Sequence, residues 1–300
     1  MSVPAADATP RSSGQQLPAG VWIAAAVEVV VALAVGVILL HSGDPPPSEA
    51  RSMPDMVGMP SSHHAAQIHW TAGNTAIVAF TGAMLVWWAF SRARVPAVLA
   101  AVGLVGVAVS DPIRTMSLQS HLVAMTALEA LLVAAPLLVI AALRWEQAPV
   151  GIRRSGLWTA GVVIAVLLNS VFLIALHLPG IHGRGAHFTA VPLWVTGVAI
   201  VVGFAFWAPI LVSGGHVAQT VRRGALIVGQ EVAVILGLAA LFVPSPHMHE
   251  PSPLGLSATL DQRLGGALMV LTCAAVTLPL IKRLDNQHAN QELRTEPHVH

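Results

Sequence analysis

Charge is scarce in this 300-residue chain: Asp, Glu, Lys and Arg make up 10% of it, against roughly 25% in an ordinary soluble domain. Tyrosine is absent and cysteine occurs once, as Cys273. A single cysteine excludes an intramolecular disulfide and a thiolate metal cluster. The formal net charge of +1 supplies no basic surface, so no nucleic-acid partner is expected. No nucleophile–base pair marks a hydrolase, and the chain reads as a non-enzymatic protein. What takes the place of charge is a mean hydropathy of +0.72 and a series of apolar runs near the length of a membrane span. In hydrocarbon the backbone must satisfy its own hydrogen bonds, so such runs are helices and the bilayer is the expected partner. Histidine, at 14 residues, is the compositional excess that points to chemistry.

The runs cover 21–40, 67–90, 95–110, 118–143, 157–177, 191–212, 225–243 and 264–281. They predict an all-α polytopic transmembrane bundle of about eight spans, over 21–283, between a polar tail at 1–20 and another at 284–300. The third run has 16 residues, short of a roughly 30 Å hydrocarbon core at about 1.5 Å per residue. Without it the count is seven. Charge favours eight. One set of loops then holds Arg92, Arg94, Arg144, Arg153, Arg154, Arg222, Arg223, Lys282 and Arg283, and the other only Arg51, Arg114, Arg184 and Arg263. The positive-inside rule puts the first set, and both termini, in the cytoplasm of a bacterial plasma membrane. The tail after Arg283 is polar enough to predict disorder.

This topology sorts the histidines without having used them. His41, His63, His64, His69, His121, His177, His182, His187, His247 and His249 fall outside; His216, His288, His298 and His300 fall inside. The outer loop 41–68 carries Met53, Met56 and Met59 at every third position, then His63 and His64, with His69 just beyond. Thioethers suit Cu(I) and imidazole suits copper in either oxidation state. The Met spacing resembles the extracellular Met motifs of copper transporters; the alternative is a polar loop whose methionines touch the bilayer surface. His177, His182 and His187 share a second loop with Gly180, Gly183 and Gly185, and His247, Met248 and His249 a third. His121, His177 and His187 stand at three helix ends on one membrane level, with His182 as a fourth ligand. They are expected to converge on copper, or else to bond backbone and headgroups, with Ser117 a candidate partner for His121. Glu28, Glu129 and Glu231 lie within runs and are expected to face the bundle interior, either on a cation path or as helix-binding hydrogen-bond partners.

Three segments resemble the CtaG-type cytochrome c oxidase assembly proteins: LHLPG, with His177 to Gly180; GFAFWAPIL, Gly203 to Leu211; and LDQRLGGALM, Leu260 to Met269. AVSDPI and AAPLL, the latter at 134–138, add a weaker likeness. Order and spacing agree across 95–281; the first run and the Met/His loop look like additions. The family's two His-x-x-x-His pairs would fall near Ala124 and Leu128, and near Pro192 and Thr196, where this chain has no histidine. His121 and His187 lie about one helical turn further out. The resemblance implies a membrane factor that handles copper on the outer face for oxidase maturation, with copper-bearing oxidase subunits or a copper chaperone as partners. A copper permease or resistance protein and a bis-histidine haem protein are the alternatives.

Overall fold

A computed structural model describes residues 68–143, 155–177, 189–213, 216–242 and 252–295. Among them every element is a helix and there is no strand. The helices are α1 (Ala72–Ser91), α2 (Arg94–Val109), α3 (Asp111–Gln119), α4 (His121–Glu129), a π-helical turn (Ala130–Ala134), α5 (Ala135–Leu143), α6 (Ser155–His177), α7 (Leu193–Val212), α8 (Gln219–Phe242) and α9 (Ala258–Thr295). The α4–π–α5 stack is continuous over His121–Leu143. Six of these units are long and apolar enough to cross a membrane, or seven if α2 and α3 count as one bent span. The protein is a multi-pass membrane protein. The run at 21–40 lies outside the described residues.

The short third run is a helix, but its continuation turns by 59° into α3. Ser110 is the break: its backbone is extended, and Asp111-Pro112 opens the next helix. Proline fits the first turn because its missing N–H has no intrahelical acceptor there. The run at 118–143 also divides. Its first residues belong to α3, and Ser120 starts α4 by accepting the Val123 N–H. The last helix outruns its apolar stretch at both ends. Ser257 Oγ accepts the Leu260 N–H at its start. At its far end the disorder expected after Arg283 does not begin there: Leu284 is buried, Asp285 pairs with Arg223, and the helix continues to Thr295.

Small residues let these helices approach, as they do in lipid, where packing rather than hydrophobicity drives association. α8 and α9 share the most extensive packing among the described helices. A Cβ on Gly266 would stand 2.5 Å from the Gly237 carbonyl oxygen. Large apolar side chains such as Phe80, Phe90, Leu167 and Val201 point outward, as a lipid-facing surface requires. At the end of the bundle away from His121, Arg222 is buried in α8 and donates from Nε to the Ile210 carbonyl at 2.6 Å. A guanidinium thus satisfies a carbonyl left over in the last turn of α7.

Candidate functional site

The site forms where α4 begins and α6 ends. The His121 and His177 rings meet edge to face, 6.3 Å between centroids. α6 packs on α7 and α8, and α4 on α9 and α3, so the histidines join two helices that pack mainly on other neighbours. His177 Nδ1 lies 2.8 Å from the Leu173 carbonyl oxygen. A carbonyl only accepts, so Nδ1 carries the proton and Nε2 is left with its lone pair. That Nε2 is buried without a hydrogen-bond partner among the described residues.

His121 is held from behind by Asp261, in the first turn of α9. The carboxylate is 1% exposed and accepts from Ser120 Oγ at 2.6 Å, the His121 backbone N–H at 2.6 Å and Ser252 Oγ at 3.1 Å. It therefore occupies the amino end of α4, where the helix dipole and open N–H groups favour an anion. The next residue, Gln262, donates to the Ala240 carbonyl near the end of α8 at 3.0 Å. Gly265 passes under the imidazole: a Cβ there would lie 2.6 Å from His121 Cδ2. The LDQRLGG segment thus positions His121, a role that composition alone does not show. The Ser117 hydroxyl, a candidate partner for His121, donates to the Ile113 carbonyl.

GFAFWAPIL is likewise a packing device. Pro136 has no N–H for the Leu132 carbonyl four residues earlier, and a proline ring there would crowd it. The backbone answers with the π turn, closed by the Ala135 N–H to the Ala130 carbonyl. Trp207 Nε1 donates to the Leu132 oxygen at 2.9 Å. Gly203 lets α7 come close enough, since a Cβ would stand 2.7 Å from that same oxygen.

Of the expected ligands, His121 and His177 come together. His69 is exposed on the edge of a separate cavity of about 450 Å³, lined also by Thr71, Asn74, Asp111, Pro112 and Thr115. Met53, Met56, Met59, His63, His64, His182, His187, His247, Met248 and His249 lie outside the described residues. Among the described residues no group of three or more His, Cys, Asp or Glu side chains is placed to share a metal. Two imidazoles sharing one ion at about 2 Å put their centroids roughly 5 to 6.5 Å apart, depending on the angle at the metal. The observed centroid separation of 6.3 Å falls within that range.

The interior carboxylates divide. Glu129 stands at the start of the π turn with Oε2 buried. Glu231 is exposed, which corrects the expectation that it faces inward. Gly229, Ala233, Gly237 and Ala240 take the buried face of α8, and residue 231 falls off that face. Glu28 lies outside the described residues.

No family model, curated protein or solved structure matches this chain.

Proposed function

We propose that this protein receives copper on the outer face of a bacterial plasma membrane and hands it on for terminal oxidase maturation. The observation that carries the reading is the His121–His177 pair, with His177 Nε2 buried and without a hydrogen-bond partner among the described residues. Imidazole is a ligand for copper in either oxidation state. A buried acceptor left open is costly unless something fills it. Met53, Met56, Met59, His63, His64 and His69 would capture the ion, with His182, His187, His247, Met248 and His249 nearby in the chain's topology. Oxidase assembly as the purpose rests on the resemblance of 95–281 to the CtaG-type proteins, and copper-bearing oxidase subunits or a copper chaperone are the partners it implies. Copper here is cargo, and no bond is made or broken in a substrate.

A copper permease is the second reading, favoured by Glu129, whose Oε2 is buried in mid-span. Glu129→Gln would abolish copper uptake in a permease and leave uptake unchanged in an assembly factor. An absorption spectrum without a Soret band separates both from a bis-histidine haem protein.

Competition titration of the full chain with a chromophoric Cu(I) chelator tests the proposal. His121→Ala and His177→Ala should each weaken Cu(I) binding at least tenfold and reduce oxidase maturation. His216→Ala is the control, since that ring stacks on Trp158 at 5.6 Å, at the other end of the bundle. Unchanged Cu(I) affinity in both His121→Ala and His177→Ala would refute it.

A further inference from the structure

Below the histidine pair, two helices carry donors at four-residue intervals. α4 has His121, Met125 and Glu129; α9 has Gly265, Met269 and Cys273. Residues four apart share a helix face, α4 packs against α9, and Gly265 lies against the His121 ring. The two rows therefore descend side by side from the histidines. Met125, Met269 and Cys273 are all buried and belong to one packed core, together with Leu173, whose carbonyl orients His177. The Cys273 thiol lies near the Gln230 side chain and within electrostatic reach of Glu129. A core that needed only volume here could use leucine throughout. Instead two thioethers and the chain's single thiol share this core, with the Glu129 carboxylate in reach of the thiol.

We infer that this row is a second, deeper Cu(I) site, in which Met125, Met269 and Cys273 supply three sulfur ligands and Glu129 takes the thiol proton. The inference rests on the proposed entry of copper at His121 and His177. Thioether and thiolate are soft donors that select Cu(I). In the transfer, the copper–imidazole bonds break and a copper–sulfur bond forms at Cys273. The S–H bond breaks, and its proton moves to the Glu129 carboxylate. Copper stays monovalent, so no oxidant or reductant is needed. Before transfer the ion and the carboxylate carry opposite charges; afterwards the copper thiolate and the protonated acid are each neutral. Neutral species are the cheap ones to hold in a bilayer interior.

Because the chain has one cysteine, an ultraviolet thiolate-to-Cu(I) charge-transfer band can come only from Cys273. Cu(I) added anaerobically to the full chain in lipid nanodiscs should produce it. Cys273→Ser should abolish the band, and Met125→Leu with Met269→Leu should weaken its apparent affinity at least tenfold. Glu129→Gln should weaken it about tenfold at fixed pH. Each variant should keep its helical circular dichroism, since the changes conserve volume. Failure to see a band in the unmodified chain, or its persistence in Cys273→Ser, overturns the deep site. An unchanged affinity without the methionines overturns the three-sulfur assignment. The entry reading fails separately: His121→Ala with His177→Ala should slow the band's appearance at least tenfold, and an unchanged rate refutes entry while leaving the deep site standing. Weakened Cu(I) binding in those histidine variants, with no band in the unmodified chain, is the converse.

Discussion

Asp261 shows how much one side chain organises. A carboxylate buried at 1% exposure is costly by itself. Here three donors and the start of α4 surround it, and Ser120 is both its partner and the N-cap of that helix. Asp261→Ala removes the acceptor and leaves two buried hydroxyls and a helix N–H to find others. The expected loss is roughly 2–4 kcal/mol, from several such unmade bonds, read by thermal unfolding of the purified chain. Asp261→Asn keeps the shape and one acceptor oxygen, so it should lose less. Both should also weaken Cu(I) binding at His121, whose backbone the carboxylate holds. Full Cu(I) affinity in a folded Asp261→Ala would separate the cap from the site.

At the scale of the element, the π turn is the feature to test. It follows Glu129 directly and widens the helix where the deeper row of donors lies. Its cause is local, the proline at 136, but its repair is distant: the Trp207 indole from α7. Trp207→Phe should cost about 1–2 kcal/mol, the size of a buried acceptor losing a donor. Pro136→Ala restores an N–H four residues after Leu132. In that background the cost of Trp207→Phe should fall by about 1 kcal/mol, a coupling that a double-mutant cycle measures directly. Additive costs would show that the indole bond does not compensate for the proline.

For the molecule as a whole, the proposed function depends on orientation. The histidine pair and Asp261 share one end of the bundle, and Arg222, Arg223 and Lys282 lie toward the other. By the positive-inside rule the second end is the one expected in the cytoplasm. A reporter active only outside the cytoplasm should be silent when fused after His300 and active when inserted near Arg184. The reverse result would turn the copper-facing end inward and remove the proposed function.

Membrane class and helical content were legible in the sequence because both follow from long apolar runs and missing charge, which need no tertiary context. The pairing of His121 with His177 was legible too, since alternating spans put both at one membrane level. Which of their neighbours matter was not. In the sequence Asp261 stands only as part of the LDQRLGGALM segment, and Glu231 as a carboxylate expected inside. Only packing decided that the first is buried as a cap and the second turned outward. The bend at Ser110, the π turn and the extension of α9 past Arg283 escaped the apolar pattern for the same reason. Hydropathy records how much of a segment lipid or core can absorb. Where a helix breaks, and which face it buries, depends on hydrogen bonds and close approaches supplied by residues far away in the chain.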